Sequence, residues 1–432
     1  MVIVTNVTWK QLMPGVRLTA VHTNKFKSSH LSVTLQTTLD RDQASLNALV
    51  PWVLRRGSQA HPDMQSISST LDDLYGGVIE PLVTKKGEVQ CVGFVASFLD
   101  DAYALEGEDI LKPAARLLGE LLLCPVTENG VFRKDYVEGE RANLIDRIRA
   151  QMNDKRQYSM LRLGQEMCPY EAFGVDKYGD EEHARAITPE SLWERYQQLL
   201  SNAKVELYYS GSADPERVER ALSEAFAALP VNPQREQPEC EVRLTAGVEP
   251  NVVEECLDVT QGKLAMGLRT GGITVWDEEY PALMLLNAVF GGTSMSKLFM
   301  NVRERLSLCY FASSSIERMK GLMLISSGIE FDKYQQARDE ILAQLEACRR
   351  GEITSDELEG ARRIVITALD STLDSQSRLA DYWLGQAAAD LTQTPQELAH
   401  CMEQVTMDQV ADVANKLQLD TIYFLKGKGA TQ

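Results

Sequence analysis

Two stretches of this chain repeat each other across half its length. GVFRKDYVEGERANLI begins at Gly130, and GEITSDELEGARRIVI begins at Gly351, 221 residues later. At that displacement Asp135 meets Asp356, Glu138 meets Glu359, Gly139 meets Gly360, Arg141 meets Arg362 and Ile145 meets Ile366. Earlier, LNALVPWVL before RRGS is echoed by LMLLNAVF before GGTS at a somewhat larger displacement. Near the two ends, VELYYSGS from Val205 is echoed by TIYFLKGK from Thr421. Solenoid units are about 20–50 residues long, so a period of this length points to two copies of a whole domain. Whatever one half folds into, the other half must fold into as well.

The length agrees. At 432 residues the chain exceeds what a single core usually serves. Residues 1–230 are expected to form the first domain, 231–250 a linker and 251–432 the second domain. The linker carries Pro230, Pro233, Pro238 and Pro250 at or between its ends, among polar residues. Val16 to Leu39 reads as two strands with a turn at His22 to Lys27. In Ala44 to Ser58 the apolar residues Leu46, Leu49, Val50, Val53 and Leu54 recur at helical spacing, and Pro51 is expected to kink that helix. A second helix starts near Pro62 and stops at Gly76 and Gly77. Val89–Leu99, Val205–Ser212 and Gly262–Thr270 read as strands. Helices are expected over Asp109–Val126, Val137–Ile148, Ser191–Leu200 and Pro215–Pro230, and a loop or short helices over Gln165–Ala186. Each half is therefore expected to be an α+β layer, an antiparallel sheet with helices packed on it.

Composition narrows the function classes. The formal net charge of −18 repels phosphate backbones, so no nucleic acid is expected as a partner. No run reaches the roughly 18 apolar residues of a membrane span, and no membrane partner is expected. The start MVIVTNVTWKQLMPGVRL has no basic segment followed by a long apolar run, so no signal peptide is read there. Eight scattered cysteines form no CxxC pair, which argues against a structural zinc site and a disulfide scaffold and for reduced thiols in the cytoplasm.

Three stretches resemble the insulinase/pitrilysin-like metallopeptidase family, in its small two-domain form of bacterial and mitochondrial processing peptidases. They are the helix ending in RRGS with HPDMQSISSTLDDLYGG, then YYSGSADPERVERALSEAFAALP, and above all LLNAVFGGTSMSKLFMNVRERLSLCY from Leu285 to Tyr310. The resemblance covers nearly the whole chain. It implies two homologous domains, arranged as a clamshell half around a chamber, and a dimeric state. Active members carry HxxEH on a first-domain helix, where two histidines one turn apart bind zinc and the glutamate activates water; a later glutamate completes the ligands.

Here the pattern is broken. With Gly57 and Ser58 as anchor, the five motif positions fall on Ala48, Leu49, Val50, Pro51 and Trp52, and the later ligand position falls on or near Arg147. None of these can bind zinc, and a cation opposes a divalent metal. The five histidines are His22, His30, His61, His183 and His400, with no two spaced three or four apart. A site rebuilt from His61 and His183 is the remaining alternative. Glu138 and Glu140 are two apart on a helix and face different directions; by the resemblance, Glu140 stands where active members carry a supporting glutamate. The GGTS turn lacks the lysine and glycine spacing of a phosphate loop, and Gly271–Gly272 reads as a turn.

The resemblance also implies that Arg303 and Tyr310 occupy positions whose side chains reach the bound peptide in active relatives. Arginine grips a carbonyl or carboxylate, and a tyrosine hydroxyl donates to a forming oxyanion. In several two-subunit members one chain brings HxxEH and the other brings this pair. The expectation is a non-catalytic, zinc-less subunit that binds peptide or unfolded protein. Its partner is an HxxEH-bearing homologue or a second copy of itself, and no cofactor is held except zinc in such a partner. The alternatives are a peptide-binding or assembly scaffold with no proteolytic role and, more weakly, an autonomous zinc endopeptidase.

Overall fold

The computed structural model describes residues 6–428. Residues 1–5, the start of the stretch read for a signal peptide, lie outside them. The first half runs β1 (Asn6–Met13), β2 (Val16–His22), β3 (Ser28–Thr38), α1 (Ala44–Leu54), α2 (Met64–Asp73), β4 (Val78–Lys86), β5 (Val89–Leu99) and α3 (Leu111–Leu123). It continues with a small hairpin, β6 (Thr127–Glu128) and β7 (Val131–Phe132), then α4 (Lys134–Ala150), α5 (Lys155–Met167), α6 (Glu181–Ala186), α7 (Pro189–Asn202), β8 (Lys204–Gly211) and α8 (Pro215–Ala225). The second half runs β9 (Asn251–Leu257), β10 (Gly262–Arg269), α9 (Tyr280–Asn287), β11 (Cys309–Glu317), β12 (Leu322–Ile329), α10 (Tyr334–Arg349), α11 (Ser355–Thr372), α12 (Gln376–Ala388), α13 (Pro395–Gln404), α14 (Met407–Lys416) and β13 (Gln418–Gly427). Helix α1 passes through Pro51 and continues for most of a further turn.

The two sheets share one topology. In the first, the order is β1-β2-β8-β3-β5-β4, with β2 parallel to β8 and the other pairs antiparallel. In the second, the order is β11-β12-β10-β13-β9, with β9 parallel to β13 and the rest antiparallel. Read from the parallel pair outward, β2-β8-β3-β5-β4 matches β9-β13-β10-β12-β11, so the sheets are antiparallel except for one equivalent pair each. Strands β4 and β11 are equivalent edges, and among the described residues no further strand pairs with either.

Repeated residues do repeated work. Arg141 donates to the carbonyl of Ile187 (2.6 Å) and Arg362 to that of Val405 (2.9 Å). The next residue in each case, Thr188 or Thr406, caps the following helix through a capping box with Ser191 or Gln409. That helix, α7 or α14, then feeds the central strand β8 or β13.

The chain forms two compact units, and each is discontinuous in sequence. One comprises Met1–Arg149, Val175–Glu239 and Asp374–Leu391; the other comprises Ala150–Gly174, Cys240–Leu373 and Thr392–Gln432. Helix α5 of the first half therefore belongs with the second sheet, where Leu163 packs with Ala265, Tyr423 and Leu425. Gly267 admits this helix, because a Cβ there would stand 2.5 Å from Met167 Sδ. Tyr158 and Arg162 of α5 bond Glu255 at 2.8 and 3.2 Å. Helix α12 of the second half belongs with the first sheet. Its Trp383 is buried and meets Trp9 edge-to-face at 5.7 Å, and Gln376 bonds both Ser28 Oγ (2.7 Å) and Ser28 O (2.6 Å). Lys204 on β8 donates to Ala387 O at 3.0 Å.

No disulfide joins the eight cysteines. Among the described residues no helix is long and apolar enough to cross a membrane.

Each sheet thus has part of its core supplied by a helix from the other half. Residues 1–239 and 240–432, expressed separately, are expected to expose those apolar faces and to lack a cooperative urea transition; co-expressed, they should purify together and show one. A cooperative transition in either fragment alone would refute this dependence.

Candidate functional site

Helix α1 carries Ala48, Leu49, Val50, Pro51 and Trp52, the five positions on which the resemblance sets HxxEH. Its burial follows from composition: Ala48, Leu49, Val50, Val53 and Leu54 are enclosed in the core of the first unit, and Pro51 is buried with them. Only Trp52 of the five is half-buried. Asn47, also buried, donates to Gln90 at 2.8 Å and accepts from Arg195 at 2.6 Å, fixing the helix from behind.

Helix α4 brings Arg147 onto this spot. The guanidinium carbon lies 3.5 Å from the centroid of the Trp52 ring, a close cation–π stack. Trp52 Nε1 and Arg147 Nη1 are both buried without an acceptor among the described residues. Trp52 and Arg147, on which the resemblance sets the second histidine and the later glutamate, are therefore packed against each other. A zinc ion does not fit: no lone pair is offered by Ala48, Pro51 or Trp52, and a guanidinium occupies the last position.

The surroundings extend the cationic character. Arg55 Nε donates to Ile79 O at 2.7 Å, tying the end of α1 to the start of edge strand β4. Burial pulls the Arg55 guanidinium below its ordinary range, against the opposing pull of Glu80. Arg56 pairs with Glu140 at 3.3 Å, and Asn143 donates to the other Glu140 oxygen at 3.0 Å. Arg56 and Arg133 both lie over the ring of Tyr136, whose hydroxyl donates to Pro62 O at 2.9 Å. Glu140 is thus a buried ion-pair partner, while Glu138 faces outward toward Lys134. The pairing of RRGS with α4 was not visible in the sequence; the adjacent arginines were its only trace.

The histidines are dispersed. His61 Nδ1 pairs with Glu120 at 2.8 Å, His183 with Asp180 at 2.8 Å, and His400 with Glu403 at 3.1 Å. His22 bonds Ala213 O. Among the described residues no three His, Cys, Asp or Glu side chains are grouped to hold a metal ion, so His61 and His183 do not rebuild a site. Burial pushes His30 down to about 4.

Arg303 and Tyr310 lie in the second unit, in the most irregular backbone of the chain. Ala288–Gly292 and Leu298–Arg305 are π-helical, a geometry often found at functional sites. Gly291 and Gly292 serve close approach: a Cβ would meet Ser314 Oγ at 2.6 Å or Asn287 Nδ2 at 2.7 Å. Gly271 and Gly272 both have positive φ, as a turn requires. Ser307 has φ 50°, an uncommon value for a non-glycine residue. The register of β11 against β12 then skips between Cys309 and Phe311, making Tyr310 the extra residue of a β-bulge. Its side chain is 61 % exposed, with the hydroxyl 3.4 Å from Glu330. Arg303 stacks on Phe299 at 4.6 Å and approaches Glu304 at 3.5 Å. Met295, Met300 and Leu306 of the same block are exposed.

Two outcomes are expected. First, restoring A48H, P51E, W52H and R147E together should bring about one equivalent of zinc per chain by elemental analysis, with none in the W52H single variant; zinc in the unaltered chain would contradict the geometry. Second, His30 is depressed from 6.5 to about 4 in the folded state. Its unfolded form then binds the extra proton, so stability is unaffected above about 6.5 and falls as pH drops toward 4, by about 3 kcal/mol at most. H30Q should flatten that segment of the urea stability profile.

Residues 186–365 match the family described as the peptidase M16 inactive domain. The chain is 35% identical over 422 residues, 96% of each chain, to the "Probable inactive metalloprotease YmfF" of Bacillus subtilis (strain 168). It is 24% identical to the "Uncharacterized zinc protease YmfH" of the same organism, over 73% of each chain. A conserved protein from Enterococcus faecalis V583 has a similar structure, with TM-score 0.88 and 27% identity over 99% of this chain and 100% of that one. By its likeness along nearly its whole length to a probable inactive metalloprotease, and by its match to the inactive-domain family, the chain belongs to the peptidase M16 family as an inactive member.

Proposed function

We propose that this chain is the zinc-less subunit of a two-chain cytoplasmic peptidase. It holds an extended peptide or unfolded segment and supplies Arg303 and Tyr310 to the zinc site of an HxxEH-bearing homologue. The carrying observation is a contrast. Trp52 and Arg147, which the resemblance sets at zinc positions, stack on each other, whereas Tyr310 sits exposed on a bulge that follows the π-helical turn carrying Arg303. A relic under no constraint has little reason to keep π-helical turns, a left-handed serine and a bulge together, since each costs backbone energy. The roles are distinct: Arg303 grips a peptide carbonyl or carboxylate, and the Tyr310 hydroxyl donates to the oxyanion as water attacks in the partner. Similarity to a relative bearing the words "zinc protease" supports a partner of that kind.

A second reading, a binding scaffold without catalysis, is favoured by the free edges of β4 and β11, to which an extended peptide adds as a further strand. A self-dimer would belong with this reading, because it carries no metal ligand set.

The deciding experiment mixes this chain with an HxxEH homologue from the same genome and follows zinc content and cleavage of a fluorogenic peptide. Activity should exceed that of the homologue alone. R303A and Y310F should each lower kcat of the mixture by about 10²–10³ without loss of association. A mixture no more active than the homologue alone would refute the subunit reading and leave the scaffold.

A further inference from the structure

We infer that the Trp52–Arg147 stack is a receptor for a peptide carboxylate, from a C-terminus or from an aspartate or glutamate side chain. The inference rests on the peptide-holding part of the proposed function and assigns it a second anchor, away from Arg303 and Tyr310.

Four observations carry it. Arg147 has no carboxylate partner and no hydrogen-bond acceptor among the described residues; its one contact of note is the indole beneath it. Second, stacking at 3.5 Å holds the guanidinium plane in advance. A ligand then meets a fixed fork, and little rotamer entropy remains to be lost on binding. Third, donors here outnumber acceptors. Trp52 Nε1, Arg147 Nη1, Arg55 Nη1 and Arg56 Nε are all buried without a bonded partner. A buried donor left unbonded is destabilising, and an oxygen that bonds it relieves that penalty. Glu140 pairs with Arg56 and Glu80 bears on Arg55, whereas Arg147 has no carboxylate partner among the described residues.

Fourth, the position is suited to a peptide end. Arg55, three residues beyond Trp52 at the end of α1, bonds Ile79 at the start of the edge strand β4. A peptide added along β4 has its backbone bonds satisfied by the strand. The pair at Trp52 then meets whatever carboxylate the peptide presents at that end. A bidentate guanidinium–carboxylate contact is strong and selective for planar anions.

The test uses a fluorescein-labelled ten-residue peptide of alternating threonine and alanine in three forms: free C-terminal acid, C-terminal amide, and amide with one internal glutamate. Binding to the full chain is followed by fluorescence anisotropy. At least one carboxylate form should bind about tenfold more tightly than the plain amide, and which form does so identifies the source. R147Q should abolish the difference; R147K should keep part of it, and W52A should weaken it. Circular dichroism melts confirm that the variants are folded. Equal binding of all three forms, or a preference that survives R147Q, overturns this inference while the peptide-holding reading stands. No binding of any form overturns both.

Discussion

Each sheet of this protein depends on a helix from the other half of the chain. Helices α5 and α12 lie 221 residues apart, the displacement at which the sequence repeats, and they lie on equivalent strands: α5 on β10 and β13, α12 on β3 and β8. The apolar burial that stabilises a half is thus distributed across both. This is the connectivity of a domain-swapped dimer whose copies have been joined. It explains why the longest identity between halves falls in α4 and α11, the helices that lead into the exchanged segments.

Polar anchors give the exchange its register. Behind α5, Glu171 meets Lys320 at 2.5 Å and Arg269 at 3.2 Å, and Arg269 also meets Asp420 at 2.9 Å. Burial alone would raise the Glu171 carboxyl; its bonds to Lys320 and Arg269 outweigh that and hold it below the usual range. Under α12, Glu206 sits with Arg17 and Thr19, and there burial wins and pushes the carboxyl up. Pairs so enclosed add little net stability over apolar packing, but they penalise any displaced arrangement that leaves one partner alone. The apolar contacts supply most of the stabilisation, and the charges select the arrangement.

These features divide the legible from the illegible. Strands β2, β3, β5, β8 and β10 were readable because their β-rich runs are bounded by turns. The duplication was readable from identities between the halves, one of which, Arg141 with Arg362, makes the same arginine-to-carbonyl bond in each. Helix α5 was not, since its apolar residues face a sheet formed far along the chain and its other faces are polar. Strand β9 escaped notice because it lies on an edge with Val252, Glu254 and Cys256 exposed. At the site, the loss of zinc ligands was plain from five histidines with no helical pair. That Trp52 and Arg147 would meet was invisible, because contact between residues so far apart is a property of how α4 crosses α1.

The replacement at that crossing changes the chemistry in one direction only. A zinc ion contributes positive charge near a substrate oxygen and generates a nucleophile from water. Arg147 keeps a positive charge in place, fixed on Trp52, and can meet an oxygen with oriented N–H groups. Nothing replaces the second contribution, because Pro51 offers no base and Ala48 no ligand. On the proposed reading, a site altered in this way would hold a carbonyl or carboxylate without the means to cleave it.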